Sequence, residues 1–138
     1  LAEAMGAPVY PNTHKEIGWF DIEWTDAATQ HPWFAEIPAR QTVFQWHGDT
    51  YDIPAGAMHL ASSEACPHQG FLWNDQVLAL QFHLEMTAET IDGMLLHCSD
   101  ELVPAPYTMD AESIKQGAKH IPALIPACYH LLDQLFLS

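Results

Sequence analysis

His83 and Glu85 stand two positions apart, directly after a mostly apolar run, residues 77–82 (Val-Leu-Ala-Leu-Gln-Phe). In an extended chain such residues leave the backbone on the same side, with backbone positions about 6.6 Å apart. A glutamate crosses that gap and accepts the second N–H of the imidazole, as the orienting acid does for the general base of a nucleophilic triad. A lone His-x-Glu pair is more often a solvated loop pair, so the catalytic interpretation needs support from elsewhere in the chain.

The apolar run also predicts the element that positions this pair. A short, nearly continuous apolar segment is typical of a strand covered on both faces in an α/β sheet. We therefore expect one strand to run from Val77 through Glu85. Ligands of open α/β sheets bind beyond the carboxyl ends of the strands, which is where His83 and Glu85 would lie.

A second polar segment follows a predicted strand at residues 42–46 (Thr-Val-Phe-Gln-Trp). We expect His47, Gly48 and Asp49 to form a turn, in which the glycine lets a ligand approach the main chain closely. Taken alone, Trp46 indicates core packing, and His47 indicates a turn residue bonded to the backbone.

Four motifs occur in order at short spacing: residues 45–50 (Gln-Trp-His-Gly-Asp-Thr), 60–63 (Leu-Ala-Ser-Ser), 69–71 (Gln-Gly-Phe) and 80–85 (Leu-Gln-Phe-His-Leu-Glu). Together they resemble the class I, triad-type glutamine amidotransferases, most closely the GMP-synthase-like group, and the resemblance extends from Leu1 to about Leu102. It implies the α/β, three-layer, flavodoxin-like amidotransferase fold. The chain would form the carboxyl-terminal portion of that fold, a mixed sheet with flanking helices.

The resemblance also implies roles for individual residues. His83 and Glu85 would be the catalytic base and its orienting acid. Trp46, Gly48 and Asp49 would contact glutamine, largely through main chain, although many relatives carry a small polar residue where Trp46 stands. The implied reaction hydrolyses the side-chain amide of glutamine and passes ammonia to a synthase domain or subunit. It needs no metal and no organic cofactor.

The nucleophile implied by the resemblance is a cysteine in a Gly-x-Cys-x-Gly turn, and this motif does not occur in the sequence. Residues 1–6 (Leu-Ala-Glu-Ala-Met-Gly) are typical of the last turns of a helix closed by a glycine cap. We expect residues 1–138 to be the carboxyl-terminal portion of a single domain. We expect them to be inactive without the missing amino-terminal half and to self-associate through uncovered edges. Cys66 lacks flanking glycines and has Glu64 nearby, which disfavours a thiolate.

Composition narrows the classes of partner. Four basic and eighteen acidic residues give a net charge of −14, which argues against nucleic acid and anionic membranes. No apolar run is long enough to span a membrane. Three scattered cysteines indicate reduced thiols in the cytoplasm, and the nine histidines show no spacing typical of a metal site.

Two interpretations from other classes stay open. The chain could be a non-catalytic fragment or binding module that keeps the fold without the activity. It could also belong to a γ-glutamyl hydrolase of the same superfamily that has no synthase partner.

After Glu85 the sequence predicts helices. Thr87 is expected to cap the first helix, Asp110 the second, and a last amphipathic helix near residues 121–135 is expected to cover one face of the sheet.

Overall fold

A five-stranded sheet and four α-helices make up residues 1–137, the part of the chain that the computed structural model describes. Short 3-10 turns lie at Glu3–Met5, Ser99–Glu101 and Gly117–His120. The strands are β1 (Val9–Trp24), β2 (Arg40–Tyr51), β3 (Met58–Ser63), β4 (Gly70–Trp73) and β5 (Val77–Leu80). The helices are α1 (Asp26–Thr29), α2 (Ala88–His97), α3 (Ala111–Gln116) and α4 (Ile121–Leu137).

The strand order is β2-β1-β3-β4-β5, and each neighbouring pair of these strands is antiparallel. The sheet curls, because an isolated bridge joins Phe44 of β2 to His83, which follows β5 at the other edge. A single parallel bridge, between Ile17 and Thr108, connects β1 to the loop before α3. The predicted α/β class is confirmed, with helices packed on a curled antiparallel sheet.

The strand predicted from Val77 through Glu85 is shorter than expected and ends at Leu80. The chain changes its hydrogen-bond partner at this point: the Gln81 N–H still bonds the Gln69 carbonyl, whereas the His83 N–H bonds the Phe44 carbonyl on β2 at 2.9 Å. All four residues of β5 are half-buried. The prediction of a strand covered on both faces is therefore wrong for the described residues.

Turn and cap residues behave as their chemistry predicts. Asn74 and Asp75, both at positive φ (51° and 53°), form the tight turn between β4 and β5, the conformation that two-residue hairpins favour. Thr87 caps α2 and exchanges hydrogen bonds with Thr90 in a capping box. Asp110 caps α3 through a 2.8 Å bond from the Ser113 N–H.

The carboxyl-terminal helix α4 covers the core with one face. Its fully buried residues are Leu124, Ala127 and Leu131. A second apolar row on this helix is exposed, and we call it the outer stripe: Ile125, Tyr129, Leu132 and Phe136. None of the helices in residues 1–137 is both long enough and apolar enough to cross a lipid bilayer.

Candidate active site

The predicted contact between His83 and Glu85 is present. His83 Nδ1 lies 2.7 Å from Glu85 Oε1, although neither residue belongs to a regular strand. The second carboxylate oxygen, Oε2, accepts the Leu84 N–H at 3.0 Å. The hydrogen bond from His83, with the main-chain bond, holds the pKa of Glu85 below its usual range. The carboxylate is thus fixed at both oxygens and presents one of them to the imidazole.

This geometry determines which imidazole nitrogen is basic. An ionised carboxylate is only an acceptor, so Nδ1 carries the hydrogen and Nε2 keeps its lone pair. Within residues 1–137, Nε2 has no hydrogen-bond partner. The His83 side chain is 34% exposed. It can therefore accept a proton from a group brought to it.

The backbone of His83 is fixed by β2 rather than by β5. Its N–H donates to the Phe44 carbonyl, and the centroids of the Phe44 and His83 rings lie 6.2 Å apart. Phe44 itself is fully buried. This hydrogen bond to a buried strand residue fixes the main chain of His83, even though the surrounding segment, residues 81–85, is irregular.

A shallow cavity of about 350 Å³ lies beside the His83–Glu85 pair, between the end of β5 and α4. Its other walls are apolar apart from one thiol, that of Cys128. Burial, and then the charge of Glu85, raise the pKa of this thiol. Cys128 therefore favours the protonated form, which is a poor nucleophile.

The segment containing Trp46, Gly48 and Asp49 is part of the long strand β2, and the predicted turn at residues 47–49 is wrong. The irregularity lies instead in the partner strand. Pro11 pairs with Asp49 and Glu16 pairs with His47, so residues 12–15 of β1 lie opposite Gly48 alone. A bulge of this kind interrupts the ladder of main-chain hydrogen bonds. Hydrophobic periodicity carries no signal for it.

Trp46 lies on the same strand as Phe44, and the centroids of the two rings are 6.2 Å apart. Its indole Nε1 donates to Glu101 Oε1 at 3.3 Å, and Lys15 Nζ lies 3.5 Å from the other oxygen of Glu101. The aliphatic part of Lys15 also lies against Gly48. Phe44 thus lies between the His83–Glu85 pair and the Trp46–Asp49 segment, while the Trp46 side chain turns toward Glu101.

A buried polar cluster that the sequence did not reveal adjoins this segment. Glu16 is fully buried and accepts hydrogen bonds from Ser63 Oγ at 2.6 Å and from Gln69 Nε2 at 2.6 Å. Its Oε2 also lies at hydrogen-bond distance, 2.7 Å, from His47 Nε2. In the sequence Glu16 precedes an alternating strand and is indistinguishable from a solvated strand carboxylate. Its cross-strand register with His47 could be found only once the bulge was known.

Cys66 adjoins the same cluster. One ligand atom each from Glu16, His47 and Cys66 lies within 4.8 Å of the others, a grouping that could suit a metal ion. Two ligands of a tetrahedral zinc ion, each about 2.0 Å from it, would be about 3.3 Å apart. The 2.7 Å between His47 Nε2 and Glu16 Oε2 is instead the length of a hydrogen bond. The arrangement therefore fits a hydrogen-bonded network better than a metal site.

Cys66 is also unsuited to nucleophilic attack. It is fully buried, and burial raises the pKa of its thiol. Thr50 Oγ1 lies 3.3 Å from its sulfur. The two nitrogens of His47 are occupied by Glu16 and by the Asp49 carbonyl, so this imidazole has no free lone pair for the thiol proton.

The curled sheet carries a histidine and a glutamate beside its edge, and comparison with known proteins identifies the family of this chain. The model of the family "Glutamine amidotransferase class-I" matches residues 1–99. The chain belongs to this family.

Individual proteins similar to this chain support the same family assignment. The glutamine amidotransferase-like protein YfeJ of Salmonella typhimurium is 37% identical over the whole chain. The GMP synthase of Lacticaseibacillus rhamnosus is 33% identical over 86% of the chain, which corresponds to 24% of that enzyme. A crystal structure of a glutamine amidotransferase from Thermotoga maritima superimposes on the whole chain with a TM-score of 0.87 and 34% identity. The chain spans 58% of the length of the Salmonella relative and 58% of the Thermotoga structure.

Proposed function

We propose that residues 1–138 are the carboxyl-terminal portion of a class I glutamine amidotransferase domain and supply the base, the orienting acid and part of the glutamine site of its glutaminase reaction. The observation that carries this proposal is the 2.7 Å hydrogen bond between His83 Nδ1 and Glu85 Oε1. It leaves Nε2 as a base, in a chain whose family is established.

In the proposed reaction His83 Nε2 takes the proton of a cysteine thiol, and the thiolate attacks the side-chain carbonyl carbon of glutamine. The C–N bond breaks, and the imidazolium returns its proton to the departing nitrogen, which leaves as ammonia. Water then attacks the thioester, with His83 again as base, and releases glutamate and the free thiol. Glu85 keeps Nδ1 protonated throughout and stabilises the imidazolium.

We assign glutamine binding to Trp46, Gly48 and Asp49, mainly through their main chain. The bulge opposite Gly48 supports this assignment, because it frees main-chain polar groups there from the regular ladder.

We propose that the thiol comes from a segment outside residues 1–138. The raised pKa of Cys66 and of Cys128 argues against either thiol as the nucleophile. The relatives are also longer than this chain, which spans 58% of the Salmonella protein. We use the name complete domain for residues 1–138 joined to the segment that their own upstream coding sequence specifies.

The acceptor of the ammonia is proposed from the relatives. Several of them carry the name GMP synthase (glutamine-hydrolysing), so we infer a synthase domain or subunit that consumes the ammonia. The three cysteines are all free thiols, which supports a reaction in the cytoplasm.

The test is release of ammonia and glutamate from glutamine by the complete domain, with residues 1–138 alone as the comparison. We expect turnover from the complete domain and none from the chain alone. Failure of the complete domain to hydrolyse glutamine would contradict the proposal. Preference for other γ-glutamyl amides over glutamine would instead indicate a γ-glutamyl hydrolase.

A further inference from the structure

A single imidazole joins the buried carboxylate of Glu16 to the main chain of the proposed glutamine-binding segment. His47 Nδ1 lies 2.8 Å from the Asp49 carbonyl oxygen, and Nε2 lies 2.7 Å from Glu16 Oε2. A carbonyl oxygen only accepts, so Nδ1 carries a hydrogen that it donates to Asp49. Another hydrogen lies between Nε2 and the carboxyl group. The imidazole therefore fixes the distance between β1 and the carbonyl of Asp49.

Glu16 cannot shift to follow a moving imidazole. Its Oε1 accepts from Ser63 Oγ at 2.6 Å, and its Oε2 accepts from Gln69 Nε2 at 2.6 Å. Ser63 ends β3 and Gln69 precedes β4. Elements from three parts of the sheet thus hold one carboxyl group, whose side chain is 1% exposed.

The segment of residues 47–49 needs this support because the main-chain hydrogen bonds that usually hold a strand are interrupted there. Residues 12–15 of β1 bulge opposite Gly48, so the ladder that would fix the main chain is interrupted there. On one side the stem of Lys15 lies close to Gly48. The Lys15 side chain is 55% exposed and gives only a flexible contact. The His47–Glu16 link is the rigid support.

We propose that Glu16, acting through His47, is a positioning residue that holds the main chain of Gly48 and Asp49 in the shape that binds glutamine. This inference rests on the proposed function, since it assumes that the segment contacts the substrate. It assigns to Glu16 no contact with glutamine and no part in proton transfer. Loss of Glu16 should therefore weaken substrate binding and leave the chemical step nearly unchanged.

The experiment measures steady-state glutamine hydrolysis by the complete domain and three variants. Glu16→Ala should raise KM for glutamine by about tenfold or more and change kcat by less than about threefold, because a fixed partner of His47 is lost. Glu16→Gln should recover most of the wild-type KM, since its NH₂ group can bond His47 Nε2 once the Gln69 amide turns its oxygen, which has no partner within residues 1–137, toward that group. Gln41→Met is the matched control: Gln41 is a buried polar residue of β2 that is not bonded to Glu16 or His47, and its variant should keep KM.

A second measurement separates local positioning from general destabilisation. In the complete domain, Glu16→Ala should speed amide hydrogen exchange at residues 48–50 by about tenfold or more while amides of β4 keep their rates. Uniformly faster exchange over the whole sheet would overturn the positioning role.

The two proposals fail in different ways. An active complete domain in which Glu16→Ala leaves KM unchanged, or in which kcat falls as much as kcat/KM, would overturn the inference and leave the proposed function standing. A wild-type complete domain without glutaminase activity would overturn the proposed function, and the glutamine-binding role of the segment with it.

Discussion

Replacing Glu85 by Gln is the sharpest perturbation of the proposed catalytic pair, because the two oxygens of this carboxylate accept from two different donors. Oε1 faces His83 Nδ1 at 2.7 Å and Oε2 faces the Leu84 N–H at 3.0 Å. A glutamine has one acceptor oxygen and one donor nitrogen, so it cannot satisfy both. Keeping its oxygen on His83 sets its NH₂ group against the Leu84 N–H. Turning the amide round satisfies Leu84 but moves the imidazole hydrogen to Nε2, where the base is needed.

The first arrangement loses one hydrogen bond to a charged group, worth about 1.5–3 kcal/mol, and the second leaves no lone pair on Nε2 to take the proton. At 1.36 kcal/mol per factor of ten, the expected fall in kcat is about 10- to 100-fold. The Glu85 side chain is 61% exposed, so water relieves part of the mismatch and the lower end of this range is expected. His83→Asn removes the base itself and should cost at least about 1,000-fold.

The assay is glutamine hydrolysis by the complete domain, with Glu89→Gln as the matched control. Glu89 is an exposed carboxylate in the first turn of α2 and should tolerate the same change. A Glu85→Gln variant with wild-type kcat would refute the orienting role. An equal fall in kcat for Glu89→Gln would show that the assay responds to the loss of a negative charge rather than to the geometry of the His83–Glu85 pair.

Three further predictions concern stability, pH and association. Gly117→Ala should lower the free energy of unfolding in urea by about 2–4 kcal/mol, because its Cβ would overlap the Trp19 indole. The control Gly93→Ala, in open space on α2, should instead raise the free energy of unfolding by up to about 1 kcal/mol. Equal effects of the two substitutions would contradict the packing of Gly117 against Trp19. The folded-state pKa of Glu85 is lowered, so the Glu85–His83 pair stabilises the protein above the usual glutamate pKa of about 4.3 and stops doing so as the pH falls through the lowered value. The difference in the free energy of unfolding between wild type and Glu85→Gln should therefore shrink on acidification. Urea titrations in which this difference grows would be inconsistent with the pair. Residues 1–138 alone should self-associate in light scattering through uncovered apolar surface such as the outer stripe, and Tyr129→Lys (Tyr129 is 66% exposed) should reduce this; a monomer at high concentration would argue against it.

Much of the fold follows from local signals in the sequence. Thr87 and Asp110 predicted the helix starts because N-capping depends on a side chain and the next few N–H groups alone. The β4–β5 turn depends on a similarly local property, since Asn74 and Asp75 both tolerate the positive φ that it requires. The His83–Glu85 bond also depends on a spacing of two and formed outside a regular strand.

Structural features that depend on residues far apart in the sequence could not be predicted. The length of β5 depends on where the chain leaves β4 and bonds Phe44. The shape of residues 47–49 depends on a bulge in β1, which turned an expected turn into continuous strand. Glu16 lies in a sequence context typical of a solvated strand, and only the fold places Gln69 and His47 around it.

The most direct test of the central claim is ammonia release from glutamine by three samples measured side by side: the complete domain, its His83→Asn variant, and residues 1–138 alone. We expect turnover from the first and none above background from the other two, because we propose that the base is His83 and that the thiol comes from outside residues 1–138. Undiminished turnover by the His83→Asn variant would contradict the catalytic assignment. Turnover by residues 1–138 alone that disappears on replacing any one of the three cysteines would show that the nucleophile lies within this chain.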